Sequence, residues 1–185
     1  MITKRTTHVT LWSLCLMVLA AASLIGISVN AFSSGNNSKT IIHESAEILR
    51  YEDGSPYIHD VLTNHTDQTI TETQYGMLAF DADGTPLELY WNFLDSSAEQ
   101  SFENLVRSKE NILPGRTEEY RGGWSLYDGE ANQAAYALVC LKQVVFEDGT
   151  VWDNPDYESW LSTYAGKETD AEELEAYYPH EYKRL

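Results

Sequence analysis

The sequence predicts a mainly β domain with antiparallel strands, and three observations carry that reading. Phe80-Asp81-Ala82-Asp83-Gly84-Thr85 and Phe146-Glu147-Asp148-Gly149-Thr150 follow one plan: an apolar run ends in phenylalanine, an acidic-glycine turn follows, and strand formers resume. Asp-Gly suits tight turns because both residues tolerate positive φ, so each copy reads as a β-hairpin. Leu87, Leu89 and Trp91 alternate with Glu88 and Tyr90, the period of two of a strand. In YALVCLKQVVF, Tyr136, Leu138 and Cys140 point one way while Ala137, Val139 and Leu141 point the other. Both sets are apolar, as in a central strand covered on both faces.

The remaining elements follow in order. Tyr57 to Asn64 is rich in strand formers, NHTDQT at 64–69 supplies turn residues, and Ile70 to Phe80 resumes as a strand. Ser96 with Glu99 makes a capping-box pattern, and Ala98, Phe102, Leu105 and Val106 fall on one helical face. A short inserted helix is expected there. Pro114-Gly115 turns the chain, and Thr117 to Tyr120 reads as a strand. After Trp152 the character changes. Asn154-Pro155 opens a helix, proline being tolerated in a first helical turn. Tyr157, Trp160, Leu161 and Tyr164 share its face and Gly166 ends it. A second short helix starts at a Thr169/Glu172 capping box and stops at Pro179. These helices form a C-terminal appendage, the expected outer cover of the strand around Cys140.

The N-terminus reads as an address. Lys4 and Arg5 precede a charge-free run from Val9 to Val29, long enough to cross a bilayer as a helix. Basic residues before the run and none after it place the N-terminus inside and the remainder outside. Val29-Asn30-Ala31 has small residues where a signal peptidase reads, so two fates stay open: a membrane anchor through residues 9–29, or cleavage after Ala31 and secretion. The expected organisation is a leader over 1–31, a flexible linker over 32–44, a β domain over 45–154 and the helical appendage over 155–185.

Composition bounds the function classes. Hydrophobic residues make up 43% and aromatics 12% of the 185 residues, enough for a packed core. The net charge is −17, and without the leader 10 basic groups face 29 acidic ones, about −19. Such a surface repels phosphate backbones, so no nucleic-acid partner is expected. Beyond the leader only Cys140 remains, so no internal disulfide forms and the thiol reads as a small buried hydrophobe.

No motif points to a reaction. A nucleophile elbow, a HExxH zinc motif and a Walker loop are all absent. His43, His59, His65 and His180 are scattered; His59-Asp60 and His65-x-Asp67 are the pairs that strand ends could bring together. Counted from Asp81 as a calcium loop, glycine falls at the fourth position rather than the sixth and Asn92 stands where a glutamate belongs. Asp81/Asp83 and Glu147/Asp148 are therefore expected to be turn residues, and no metal or cofactor is expected. Asn36-Asn37-Ser38 and Asn64-His65-Thr66 match the glycosylation sequon.

Asn64, the apolar run ending in Phe80-Asp81, the Asp83-Gly84 turn and Pro114-Gly115 together resemble the FxLYD-type β-sandwich domains of bacterial exported proteins. TETQYGMLAFDADG through ENILPGRTEEYRGGW to LKQVVFEDGTVW is similar to an uncharacterised family of anchored extracytoplasmic domains from Gram-positive bacteria, over roughly residues 45–182. Phe80-Asp81 departs from the Leu-Tyr-Asp form, and the stretch from Trp91 to Asn111 is longer than the simplest members need. The resemblance implies an immunoglobulin-like sandwich and carries over no catalytic residue. The expected function is non-enzymatic: binding of a protein or cell-envelope partner through Trp91, Trp124, Tyr127 and Trp152, of which Trp124 sits in a glycine-rich stretch. A structural spacer or accessory sensor domain is the alternative, and a cell-wall hydrolase the least supported one.

Overall fold

The computed structural model describes residues 39–88, 101–119, 124–125 and 133–183. The leader, its cleavage point and the first sequon lie outside the described residues. No helix among the described residues is long and apolar enough to cross a membrane.

Among the described residues the fold has nine strands and two short helices. The strands are β1 (Ile41–Arg50), β2 (Pro56–Asn64), β3 (Ile70–Phe80), β4 (Asn104–Ile112), β5 (Arg116–Glu119), β6 (Trp124–Ser125), β7 (Tyr136–Phe146), β8 (Val151–Asp153) and β9 (His180–Tyr182); the helices are α1 (Tyr157–Tyr164) and α2 (Ala171–Glu175). The main path runs β4-β3-β7-β1-β2-β5, with β6 on β2, β8 on β7 and β9 on β1, every pairing antiparallel. This is one sheet curled into a half-barrel rather than the two stacked sheets of the expected sandwich. Glu47 and Tyr136 still pair across β1 and β7, so the two halves stay joined. Register shifts in β1 and β3 add the twist that curls the sheet.

β3 and β7 run side by side from Ile70↔Phe146 to Phe80↔Tyr136 and form the centre. Tyr75 to Phe80 (with Gly76) and Ala137 to Leu141 are buried without alternation, as the sequence predicts for strands covered on both faces. The appendage does cover this centre. Tyr157 and Trp160 are buried, and Leu161 and Tyr164 pack against the same core. Gly76 makes room for it, since a Cβ there would lie 2.0 Å from the Tyr157 hydroxyl.

Three local expectations are corrected. Asn104–Ile112 is a strand, not part of an inserted helix. Its residues alternate between half-buried and exposed, Val106 packing on the core and Leu105 facing out at 43% exposure. Pairing with β3 outweighs the helical pattern, and in the strand Leu105 and Val106 fall on opposite faces. Residues 41–44, placed in the linker, belong to β1, and Ile41 is fully buried. Asp170, not Thr169, caps α2, accepting from the Glu172 N–H at 2.8 Å.

Candidate functional site

β1 and β7 share a single residue pair and then part. Strand β7 thus has backbone groups facing a gap where a neighbour's ladder would otherwise be, and buried backbone groups need partners. The C-terminal segment supplies them with side chains. The Tyr178 hydroxyl accepts the Val139 N–H at 2.8 Å, and the Tyr182 hydroxyl accepts the Leu141 N–H at 2.9 Å. Asn154 donates to the Leu141 carbonyl at 2.7 Å.

The Tyr182 hydroxyl has a second partner. It lies 2.7 Å from His43 Nδ1. The oxygen accepts from the Leu141 N–H, and which of the hydroxyl and Nδ1 donates in the contact with His43 follows the ring's tautomer. Nε2 faces Asp60 Oδ2 at 3.5 Å, longer than a good hydrogen bond. His43 and Asp60 are fully buried, and neither Asp60 oxygen has a hydrogen bond among the described residues. Aromatic rings close the cluster: Tyr182 and Tyr178 lie edge-on to His43 at 5.6 and 6.4 Å, and Tyr75 lies tilted to it at 5.8 Å. His180 stacks on Tyr177, and burial, then the nearby His43, holds it below its ordinary 6.5.

An Asp–His–hydroxyl chain has the connectivity of a hydrolase triad. Here the hydroxyl sits on a tyrosine only 3% exposed and is held by a backbone N–H. Burial pushes its pKa well above 10.0, so it stays protonated and unavailable as a nucleophile. The arrangement fixes β9 to β1 and β7. Cys140 is equally closed off: desolvation pushes its thiol from 9.0 up to about 12.

The expected acidic turns are turns. Asp81 Oδ1 accepts from the Asp83 and Thr85 N–H groups, and Asp148 Oδ1 accepts from the Thr150 hydroxyl and N–H. The Thr150 hydroxyl, then its N–H, hold the Asp148 carboxyl below its ordinary 3.8. No metal-holding cluster of His, Cys, Asp and Glu occurs among the described residues. Asn64 is fully buried and fastens the next turn: its amide donates to Gln68 and Ile112 carbonyls at 2.9 Å, and its oxygen accepts from the Thr66 N–H and hydroxyl. An amide so engaged is no acceptor for a glycan. Asp60 meets His43 rather than pairing with its neighbour His59.

Of the expected contact residues, Trp91 and Tyr127 lie outside the described residues. Trp124 begins β6 and pairs with Ile58 of β2. Trp152 is half-buried in β8, edge-on to Tyr182 at 6.0 Å. It lines a cleft of about 260 Å3 with Phe146, Val151, Lys39, Asp67 and Gln68. Val151 is 52% exposed, and Lys39 pairs with Asp67 at 3.7 Å. The structure thus offers an aromatic-floored cleft with polar walls between the 64–69 turn and the β7–β8 hairpin.

Residues 57–167 match the model of a family of unknown function, DUF5780. The chain belongs to that family. A hypothetical protein of Peptoclostridium difficile 630, known from a 1.85 Å X-ray structure, has the same fold, with a TM-score of 0.64 and 22% identity over 75% of this chain and 97% of that one. No curated protein matches the chain. The family segment holds Asp60, Val139 and Leu141, while His43, Tyr178 and Tyr182 flank it on either side. The sequence reading set His43 among scattered histidines and missed Tyr178 and Tyr182. Their available signal was the aromatic density of Tyr177-Tyr178-Pro179-His180-Glu181-Tyr182, too rich in tyrosine for a solvated helix end.

Proposed function

We propose that this DUF5780 domain is a non-enzymatic extracytoplasmic binding module, tethered through residues 9–29 or released by cleavage after Ala31, that recognises a protein or cell-envelope partner. The Trp152 cleft carries the reading. An indole edge, an exposed valine and hydrogen-bonding walls form the mixed apolar and polar surface that interfaces favour. The likeness to FxLYD-type and Gram-positive anchored domains agrees with such a role. The spacer alternative fits less well: Ile41 pairs with Tyr182, so the two ends of the domain emerge side by side rather than at opposite poles.

Two experiments test the proposal. Protease added to intact cells digests the domain if it is extracytoplasmic; full protection rejects the topology. In co-sedimentation with a purified envelope fraction, the full chain in neutral detergent is expected to bind and Trp152→Ala to lose most of that binding with unchanged circular dichroism. Equal sedimentation of both proteins, or of neither, rejects the Trp152 cleft as the contact.

A further inference from the structure

A second cleft, separate from the one at Trp152, opens where β1 leaves β7. It has about 260 Å3 of space, below the roughly 300–1,000 Å3 of small-molecule sites and suited to one long side chain. Alanines make the space: Ala46 on β1, Ala135 just before β7 and Ala137 on β7 leave a hollow that Leu174 of α2 and Tyr178 complete. The interior is therefore mostly aliphatic.

The rim is acidic. Glu47 stands on β1 and Glu175 on α2, both exposed, and the Tyr136 hydroxyl donates to Glu175 Oε1 at 3.1 Å, holding that carboxylate at the mouth. No lysine or arginine pairs with either glutamate among the described residues. Tyr178 closes the inner wall: its hydroxyl is held by the Val139 N–H, and burial above all pushes its pKa well above 10.0, so it stays neutral. A negative rim and a mostly aliphatic interior complement one kind of side chain: a long apolar stem with a cationic head. The net charge of −17 favours approach of the same partner.

We propose that this cleft receives a lysine or arginine side chain from a basic polypeptide segment, the stem lying against Ala46, Ala137 and Leu174 and the head between Glu47 and Glu175.

The probe is a hexalysine peptide, with hexaglutamate as control, titrated into the isotope-labelled full chain in neutral detergent at physiological salt. Hexalysine is expected to shift the amide resonances of Ala46, Ala137 and Leu174, and hexaglutamate to leave them in place. The double variant Glu47→Gln/Glu175→Gln should bind about fivefold to tenfold more weakly, the sum of two exposed charge contacts. Ala135→Leu, at an exposed position, fills the mouth and should abolish the shifts. Glu168→Gln/Glu172→Gln removes the same charge elsewhere and should change affinity less than about twofold. Equal weakening in both double variants would mean unspecific attraction to an acidic surface and overturn the proposal. So would undiminished binding by Ala135→Leu, or an absence of shifts at the cleft. Trp152→Ala should leave these shifts unchanged, so failure of the envelope-binding proposal and failure of this one are read separately.

Discussion

Replacing Tyr182 with phenylalanine removes one oxygen and keeps the ring. The ring's edge contacts with His43 and Trp152 remain, so the change isolates the hydroxyl. That oxygen serves two buried groups, the Leu141 N–H and His43 Nδ1. A buried polar group left without a partner costs about 1–3 kcal/mol, so the pair sets a range of about 2–6 kcal/mol. Domains of this size have about 5–15 kcal/mol in all, so the variant sits near the edge of folding. Tyr178→Phe is the internal comparison. It orphans mainly the Val139 N–H and should cost about 1–3 kcal/mol. Urea unfolding followed by circular dichroism measures both, with the midpoint expected to fall and the slope to stay constant. A Tyr182→Phe protein within about 0.5 kcal/mol of the parent, or one less affected than Tyr178→Phe, would refute the view that the tyrosine hydroxyls complete the β7 ladder.

Alkaline pH should unfold the domain from about pH 9 upward. Burial raises the pKa of Cys140 from 9.0 to about 12 and also raises those of Tyr157, Tyr177, Tyr178 and Tyr182. A group whose folded pKa is raised contributes its full stability below the unfolded value and loses it as pH climbs toward the folded one. Tyrosinate absorbance and Cys140 labelling should therefore rise together with loss of circular dichroism; labelling of the native protein would contradict this. Gly76→Ala should destabilise by about 1–3 kcal/mol or more, because its Cβ would lie 2.0 Å from the Tyr157 hydroxyl, and Tyr157→Phe should recover part of the loss. Thermal melts of the single and double variants decide it. Asn64→Ala breaks two donated and two accepted bonds and should lower the melting temperature strongly, whereas Asp83→Asn, whose side chain faces solvent in the 81–85 turn, should change it little.

The centre of the sheet was legible because β3, β7 and the β7–β8 hairpin announce themselves locally, through uninterrupted apolar runs and Asp-Gly turns. The helix α1 was legible for the same reason, its aromatic face falling at 157, 160, 161 and 164. Strand β1 was not, and its bulge explains why. Ile41 and His43 face inward, the register shifts between His43 and Ser45, and Ala46 and Ile48 continue inward in the opposite phase. An alternation that slips by one residue is invisible to a period-two reading. β4 was hidden by a competing helical pattern, and β9 by its three-residue length. The buried chain from Asp60 to Leu141 joins residues from β1, β2, β7 and β9, and no local pattern carries such a contact.

The pairing of β9 with β1 also sets an order of events in synthesis. His43 and Tyr182 are 139 residues apart in the chain. Until the segment from Tyr177 to Tyr182 has been made, Val139 and Leu141 lack their hydroxyl partners and β1 lacks its neighbour on that side. A nascent chain can assemble β1 to β8 early, yet it carries an open seam through its centre. Contacts this distant in sequence form slowly, and exposed strand edges invite pairing with other chains. The seam thus closes only once the Tyr177–Tyr182 segment has been synthesised and has docked. A stalled or clipped product ending before Tyr177 would present the unpaired edge of β7 to whatever chain it meets next.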